Sequence, residues 1–361
     1  MNKLLLAFTL LCALAWGKTQ AQQRDFPTAA RWSFAPVIGY APETKWQFGI
    51  NATLLYQGSR ADSIARRSNA NAVAILTTNQ QYFFHTDHRT FLRGEKWFLP
   101  GEIDLYKFPQ FYYGIGAEMP RSNEESIGLS YFQAQQQALF RIRPSVFVGG
   151  GLRYFNTFNL SWPEGGVLAS ENPAGLEGSS GLGPMASFLL DNRDDILTPT
   201  RNCFLNVTWE GYRKNWAGTH NFSRLTSDLR AYFPLDQKGK KVLAFQLLQT
   251  MTAGEVPFTE LALLGGENTM RGIYRGRFRD RHLLAGQAEY RFGLLPWLGA
   301  TTFVGLGNVS NQWLNFSAPW RMAGGVGLRF AVIPGENVAL RMDIAFAEGG
   351  RNFYFGFAEA F

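Results

Sequence analysis

Near the C-terminus of this chain, apolar and polar residues alternate strictly. Val338, Leu340, Met342, Ile344 and Phe346 share one parity, and Ala339, Arg341, Asp343 and Ala345 share the other. A period of two is that of a β-strand, whose successive side chains point to opposite faces. The pattern recurs upstream. Met322, Val326, Leu328 and Phe330 oppose Ala323, Gly325, Gly327 and Arg329, and Leu284, Ala288, Tyr290 and Phe292 oppose Gln287, Glu289 and Arg291. Earlier still, Leu229, Ala231 and Phe233 oppose Asp228, Arg230 and Tyr232. Such strands run about 9 to 14 residues, longer than the soluble mode of about 5 to 6 and long enough to cross a bilayer at a tilt. The fold class predicted is all-β: a transmembrane antiparallel β-barrel, with the greasy face toward lipid and the charged face toward the lumen.

Composition agrees. Aromatic residues make up 15% of the chain and there are 38 glycines, too aromatic for a disordered chain. No stretch beyond the N-terminal leader approaches the ~18 continuous apolar residues of a membrane-spanning helix. The leader itself, Lys3 followed by an apolar run from Leu4 to Trp16 and then Thr19-Gln20-Ala21, reads as a secretory signal peptide over 1–21 with cleavage after Ala21. Cys12 lies inside the apolar run without a small-residue lipobox, so lipidation is not expected; Cys203 is then the single remaining cysteine and forms no internal disulfide. The formal charge of +7 falls to +5 once Lys3 and Lys18 are set aside. The surplus is dispersed, which argues against a nucleic-acid partner.

Alternation and turn residues give sixteen spans: 34–42, 45–57, 70–84, 87–99, 103–117, 127–141, 144–159, 181–192, 202–214, 220–235, 241–254, 281–293, 298–309, 320–333, 338–348 and 351–361. An even number suits a single-chain bacterial barrel. With residues 22–33 as a short periplasmic segment and 34–361 as the barrel, the longest connections, about 160–180 and 255–280, fall on the outer side. The periplasmic connections are mostly turns, apart from 58–69. The last span places Phe353, Phe355, Phe357 and Phe361 on one face, and it resembles the C-terminal signal of outer-membrane barrels.

Residues 264–292 contain Arg271-Gly272-Ile273-Tyr274 and, after the loop, Glu289. Together with Asp191-Asn192-Arg193-Asp194, Pro199 and Tyr232-Phe233-Pro234-Leu235, this stretch resembles the bacterial surface antigen superfamily of BamA- and TamA-type proteins, over roughly 181–361. The resemblance implies a long loop, about 255–280, folded back into a sixteen-stranded barrel with Arg271-Gly272 at its tip. An arginine there must be paired or wet, because a dry unpaired charge costs several kcal/mol. Glu289 points inward by its parity and is the expected partner. The family's next strand carries Phe-x-Asp-x-Gly, whereas this chain reads Phe303-Val304-Gly305-Leu306-Gly307. The latch is therefore expected to rest on Glu289 alone or to borrow Asp343. Only twelve residues, Gln22 to Ser33, precede the first span, too few for the periplasmic POTRA domains of full-length assembly factors.

Catalytic and metal chemistry find little support. His85-Thr86-Asp87-His88 offers ligand types at tight spacing, but a metal site needs three or four converging groups with a second shell, so no metal is expected. His220 and His282 stand alone. Asp191, Asp194 and Asp195 accompany Arg193 in a turn, and the glycines at 149–151 and 265–266 precede no helix that could hold an anion. No enzyme activity and no cofactor are expected. The resemblance implies a bacterial outer-membrane protein that assists assembly or insertion of other outer-membrane proteins, with partner-supplied periplasmic domains. Its partners would be outer-membrane lipids, assembly components or nascent barrels. A weak seam between the first and last strands would be the gate, and Pro36 and Pro42, which lack ladder donors, are compatible with it. A structural or accessory barrel that scaffolds a complex is the alternative, and a diffusion pore is disfavoured if the loop fills the lumen.

Overall fold

A computed structural model describes residues 30–41, 45–57, 68–237, 239–313, 315–331, 339–348 and 350–361. The leader, the cleavage site at Ala21, most of 22–33, Pro42 and the side chain of Phe357 lie outside the described residues. The alternating segments form strands β1 (Arg31–Ala41), β2 (Lys45–Tyr56), β3 (Ser68–Thr77), β4 (Tyr82–Leu92), β5 (Trp97–Tyr112), β6 (Glu125–Arg143), β7 (Val146–Ser161), β8 (Ser179–Asp191) and β9 (Asn202–Tyr212). They continue with β10 (Phe222–Pro234), β11 (Lys241–Gly254), the short β12 (Ala262–Leu264) and β13 (Phe278–Asp280), then β14 (His282–Leu295), β15 (Leu298–Ser310), β16 (Arg321–Ala331), β17 (Ala339–Ala347) and β18 (Gly350–Phe357). All but β12 and β13 join one sixteen-stranded antiparallel sheet in chain order, while β12 and β13 pair with each other. Among the described residues, no ladder joins β1 to β18.

The two faces are inverted relative to a soluble sheet. On β16, Met322, Val326 and Leu328 are 64%, 54% and 41% exposed, while Arg329 on the opposite parity is 6% exposed. On β14, Gln287, Glu289 and Arg291 are buried. An apolar exterior around a charged interior is stable only against lipid. Exposed tryptophans stand at both strand ends, Trp32 and Trp297 at one, Trp46 and Trp320 at the other, as in the aromatic girdles of membrane barrels. Contacts across the interior show how far the sheet curls. Arg321 of β16 donates to Ala117 O beyond β5, and Glu359 N donates to Leu197 O between β8 and β9. Among the described residues, no helix is long and apolar enough to cross a membrane.

Three sequence expectations shift. The breaks expected between 84 and 87 and between 99 and 103 are absent: β4 runs unbroken through His85 and Thr86, and β5 runs through Pro100-Gly101. The turns sit instead at 78–80 and 93–96. Pro100 has no N–H to give, so Leu99 and Pro100 drop out of the ladder with β6 while keeping their register with β4. The third concerns Phe361, expected on one face with Phe353 and Phe355. Those two are exposed, but Phe361 is buried against Tyr232, Val242 and Ala244. Ala358 takes a left-handed conformation, φ 67°, at the end of β18, and the last residues turn off the strand into the interior.

Candidate functional site

The segment between β11 and β14 does not stand out from the sheet. It crosses the interior and is fixed at two places. At the first, a single turn at Phe258–Glu260 puts the Glu260 carboxylate among Arg153 of β7, Arg224 of β10 and Tyr131 of β6. Arg153 Nη1 lies 2.9 Å and Arg224 Nη1 2.8 Å from Glu260 Oε2, and Tyr131 OH donates to Glu260 Oε1 at 2.8 Å. Glu210 and Tyr212 of β9 complete the cluster: Arg224 Nη2 is 2.7 Å from Glu210 Oε2, and Tyr212 OH donates to the same oxygen at 2.7 Å. Burial pushes the Glu260 carboxyl up, but the two guanidinium charges and the hydrogen bonds overcome it and hold the group below the usual glutamate value.

At the second, Arg271 is 1% exposed and its terminal nitrogens divide between two strands. Nη2 lies 2.9 Å from Glu289 Oε1 on β14, and Nη1 lies 2.6 Å from Asp343 Oδ2 on β17. The guanidinium carbon sits 3.6 Å from the centre of the Phe303 ring on β15, a cation–π contact strengthened by desolvation. Arg329 of β16 meets Asp343 Oδ1 at 2.6 Å and Glu359 Oε2 at 2.6 Å, and Arg291 of β14 meets Glu289 Oε2 at 3.0 Å. Arg341 pairs with Glu267, closing a network of four arginines and four carboxylates. The neighbouring Gly272 reaches the last strand. Its N–H donates to Tyr354 OH at 2.9 Å, and Asn352 Nδ2 donates to its carbonyl at 2.7 Å. Gly272 has φ 105° and lies against Ala323 and Ala347, so a side chain there would be strained and crowded.

The structure thus brings Arg271, Gly272, Glu289 and Asp343 together, and it reaches β18 through Tyr354 and Asn352. Pro36, Phe353 and Phe355 lie on the two terminal strands, away from this network. Sequence reading missed Glu260, Arg153, Arg224, Arg291, Arg329 and Glu359. The four arginines carry one signal, inward parity on a wall whose other face is apolar, where each inward charge must find an opposite one, although nothing local says which. Glu260 and Glu359 lie off the strands and have no such parity. Two further connections pack on the folded segment. Phe258 N donates to Ala174 O at 2.9 Å, and Gly116 N donates to Arg279 O at 2.8 Å. Glu125 accepts from the N–H groups of Val167 and Leu168 in the short helix α1 (Val167–Glu171). At that end the connections after β5, β7 and β11 thus hydrogen-bond to one another or to the flanking strand β6.

Comparison with known proteins follows the same half of the chain as the latch. Residues 185–361 match the Omp85 superfamily domain. Among solved structures, the chain is similar to BamA from Haemophilus ducreyi lacking POTRA domains 1–3, with a TM-score of 0.61 and 14% identity over 92% of this chain and 70% of that one. It is also similar to CdiB from Acinetobacter baumannii, with a TM-score of 0.56, 14% identity and coverage of 92% and 59%. CdiB from Escherichia coli gives a TM-score of 0.60, 10% identity and coverage of 93% and 63%. The chain therefore spans less than two thirds of either CdiB chain. These identities establish a shared fold and no more. Among curated proteins, none matches.

Proposed function

We propose that this chain, which belongs to the Omp85 superfamily through its C-terminal half, assists the assembly or insertion of other outer-membrane proteins. It would act with periplasmic domains supplied by partners. Barrels of this superfamily reside in the outer membrane, and a leader cleaved after Ala21 would take the chain there. The observation that carries the reading is the clamp of Arg271-Gly272 on β14, β17 and β18. It holds the last strand from inside while no ladder joins that strand to β1 among the described residues. An unpaired strand edge is a template onto which another strand adds through its backbone. Fold alone does not carry function, so the experiment must read a partner or a product.

A second reading, an accessory barrel that scaffolds a membrane complex, is favoured by the double fixation of the folded segment, which stiffens the wall rather than freeing it. The two separate on gentle affinity purification of the full chain from native outer membranes followed by mass spectrometry. Recovery of periplasmic or lipoprotein components of assembly machinery supports the insertase. Recovery of one dedicated surface partner supports the scaffold.

A further inference from the structure

The run His85-Thr86-Asp87-His88 has too few converging ligands on its own. The pairing of β4 with β5 supplies more, because the register sets His85 opposite Asp104 and Asp87 opposite Glu102. The period of two turns all four side chains to the interior. His85 Nδ1 lies 2.6 Å from Asp104 Oδ1, and Nε2 lies 3.3 Å from Asp87 Oδ1. One donor atom from each of His85, Glu102 and Asp104 falls within 4.8 Å of the other two. His88 has the opposite parity and is engaged elsewhere, with Gln136 and Thr90.

We propose that His85, Glu102 and Asp104 form a binding site for a divalent transition-metal ion of the zinc class on the inner wall of β4 and β5. The ligand types suit such an ion, which takes imidazole nitrogen and carboxylate oxygen at about 2.0–2.2 Å. Donors of a tetrahedral site then stand about 3.3 Å apart, a rearrangement small enough for side chains on rigid strands. A second layer is in place. Gln133 Nε2 donates to Glu102 Oε1 at 2.7 Å and to Asp104 Oδ2 at 2.5 Å, and Gln135 Nε2 donates to Glu102 Oε2 at 3.0 Å. Such partners fix the orientation of ligating groups.

Charge argues the same way. Glu210, Glu260, Glu289, Asp343 and Glu359 each have an arginine. Among the described residues, no arginine or lysine forms an ion pair with Glu102 or Asp104, and the basic side chain beside Asp104 is His85. A bound ion would supply the missing positive charge. His85, Asp87 and Glu102 also line a cavity of about 560 Å³ that reaches to Phe361, leaving room for water at the fourth position. Gln133 accepts from Arg153 as well, so the site adjoins the Glu260 cluster.

The full chain, purified in detergent and freed of any affinity tag, is titrated with Co²⁺ and Zn²⁺ by calorimetry and visible absorption. Expected are one ion per chain, a tetrahedral Co²⁺ band that Zn²⁺ displaces, and binding weakened in Asp104→Asn and Glu102→Gln by more than the roughly 10- to 100-fold that losing an outer partner of a ligand costs. His85→Ala should abolish the band, and X-ray absorption of the zinc-loaded chain should show one imidazole. Heat-modifiable electrophoretic mobility confirms that each variant is folded; if His85→Ala is not, Glu102→Gln decides. The proposal is overturned by absence of saturable binding, by binding that the folded variants leave unchanged, or by a zinc shell without imidazole.

Discussion

Arg271 and Asp343 lie 72 positions apart in the chain and 2.6 Å apart in space. The related family places its acidic residue on the strand of Phe303, where this chain has Gly305. Here the carboxylate comes from β17, two strands further round the sheet, and the Phe303 ring takes the face of the guanidinium. The latch keeps two carboxylates and changes the wall that supplies one of them.

Arg271→Ala should strand Glu289 and Asp343 as buried acids against Arg291 and Arg329. Removing one member of a buried pair costs about 3–5 kcal/mol. Phe303→Leu, which removes only the cation–π face, should cost about 0.5–2 kcal/mol. Urea unfolding of the barrel in detergent, followed by heat-modifiable mobility, ranks the two. Equal effects would contradict the division between ion pair and ring.

The route by which Asp343 reaches Arg271 passes over a glycine. A methyl group added at Gly327 would meet the Asp343 carboxylate, and one at Gly325 would meet the Phe303 ring. Gly327→Ala should therefore destabilise by about 1–3 kcal/mol, the range for overpacking, though it removes no contact of its own. In Asp343→Ala, where the obstruction is gone, the same substitution should cost much less. Additive costs in this double-mutant cycle would show that the glycine serves the backbone instead.

How much of this was legible follows from periodicity. Strands such as β14 to β17, where one parity is apolar and the other charged, can be read from the chain, and with them the inward direction of Glu289 and Asp343. The spans 87–99 and 103–117 leave a break over Pro100-Gly101, which are turn residues. Only the ladder shows that β5 passes through it, losing bonds to one neighbour and keeping the other. Glu260 carried no signal. It sits in a loop and meets Arg153 across 107 positions and Arg224 across 36. The inward turn of Phe361 hangs on one left-handed residue, Ala358, a conformation that sequence does not announce outside glycine and asparagine.

Acid should release the folded segment at its Glu260 end. Because this carboxyl is held below its ordinary value of 4.5 in the folded chain, its contribution is fully present above the unfolded value and is lost as pH falls through the folded one. The facing groups are Arg153, Arg224, Tyr131, Glu210 and Tyr212. Protease cleavage within 255–280 should stay slow from neutral pH to about pH 5 and rise only in stronger acid. Glu260→Gln should already be loosened at neutral pH, by about 1.5–3 kcal/mol, with a flatter acid profile. Parallel profiles for the two proteins would assign the acid response to other carboxylates.

The folded segment should also keep the barrel closed to ions. Its two fixations lie on different walls, Glu260 on β6, β7 and β10 and Arg271 on β14 and β17, so freeing one leaves the segment tethered by the other. In planar bilayers the intact chain should pass little current. Glu260→Gln and Arg271→Ala should each give brief, partial openings, and the double variant should give sustained conductance several-fold above either. Replacing 256–280, which removes both Glu260 and Arg271, with a short Gly-Ser linker should match the double variant, since both empty the same space. Large steady conductance in the unaltered chain would instead make it an open pore and remove the mechanical reason for two buried charge clusters.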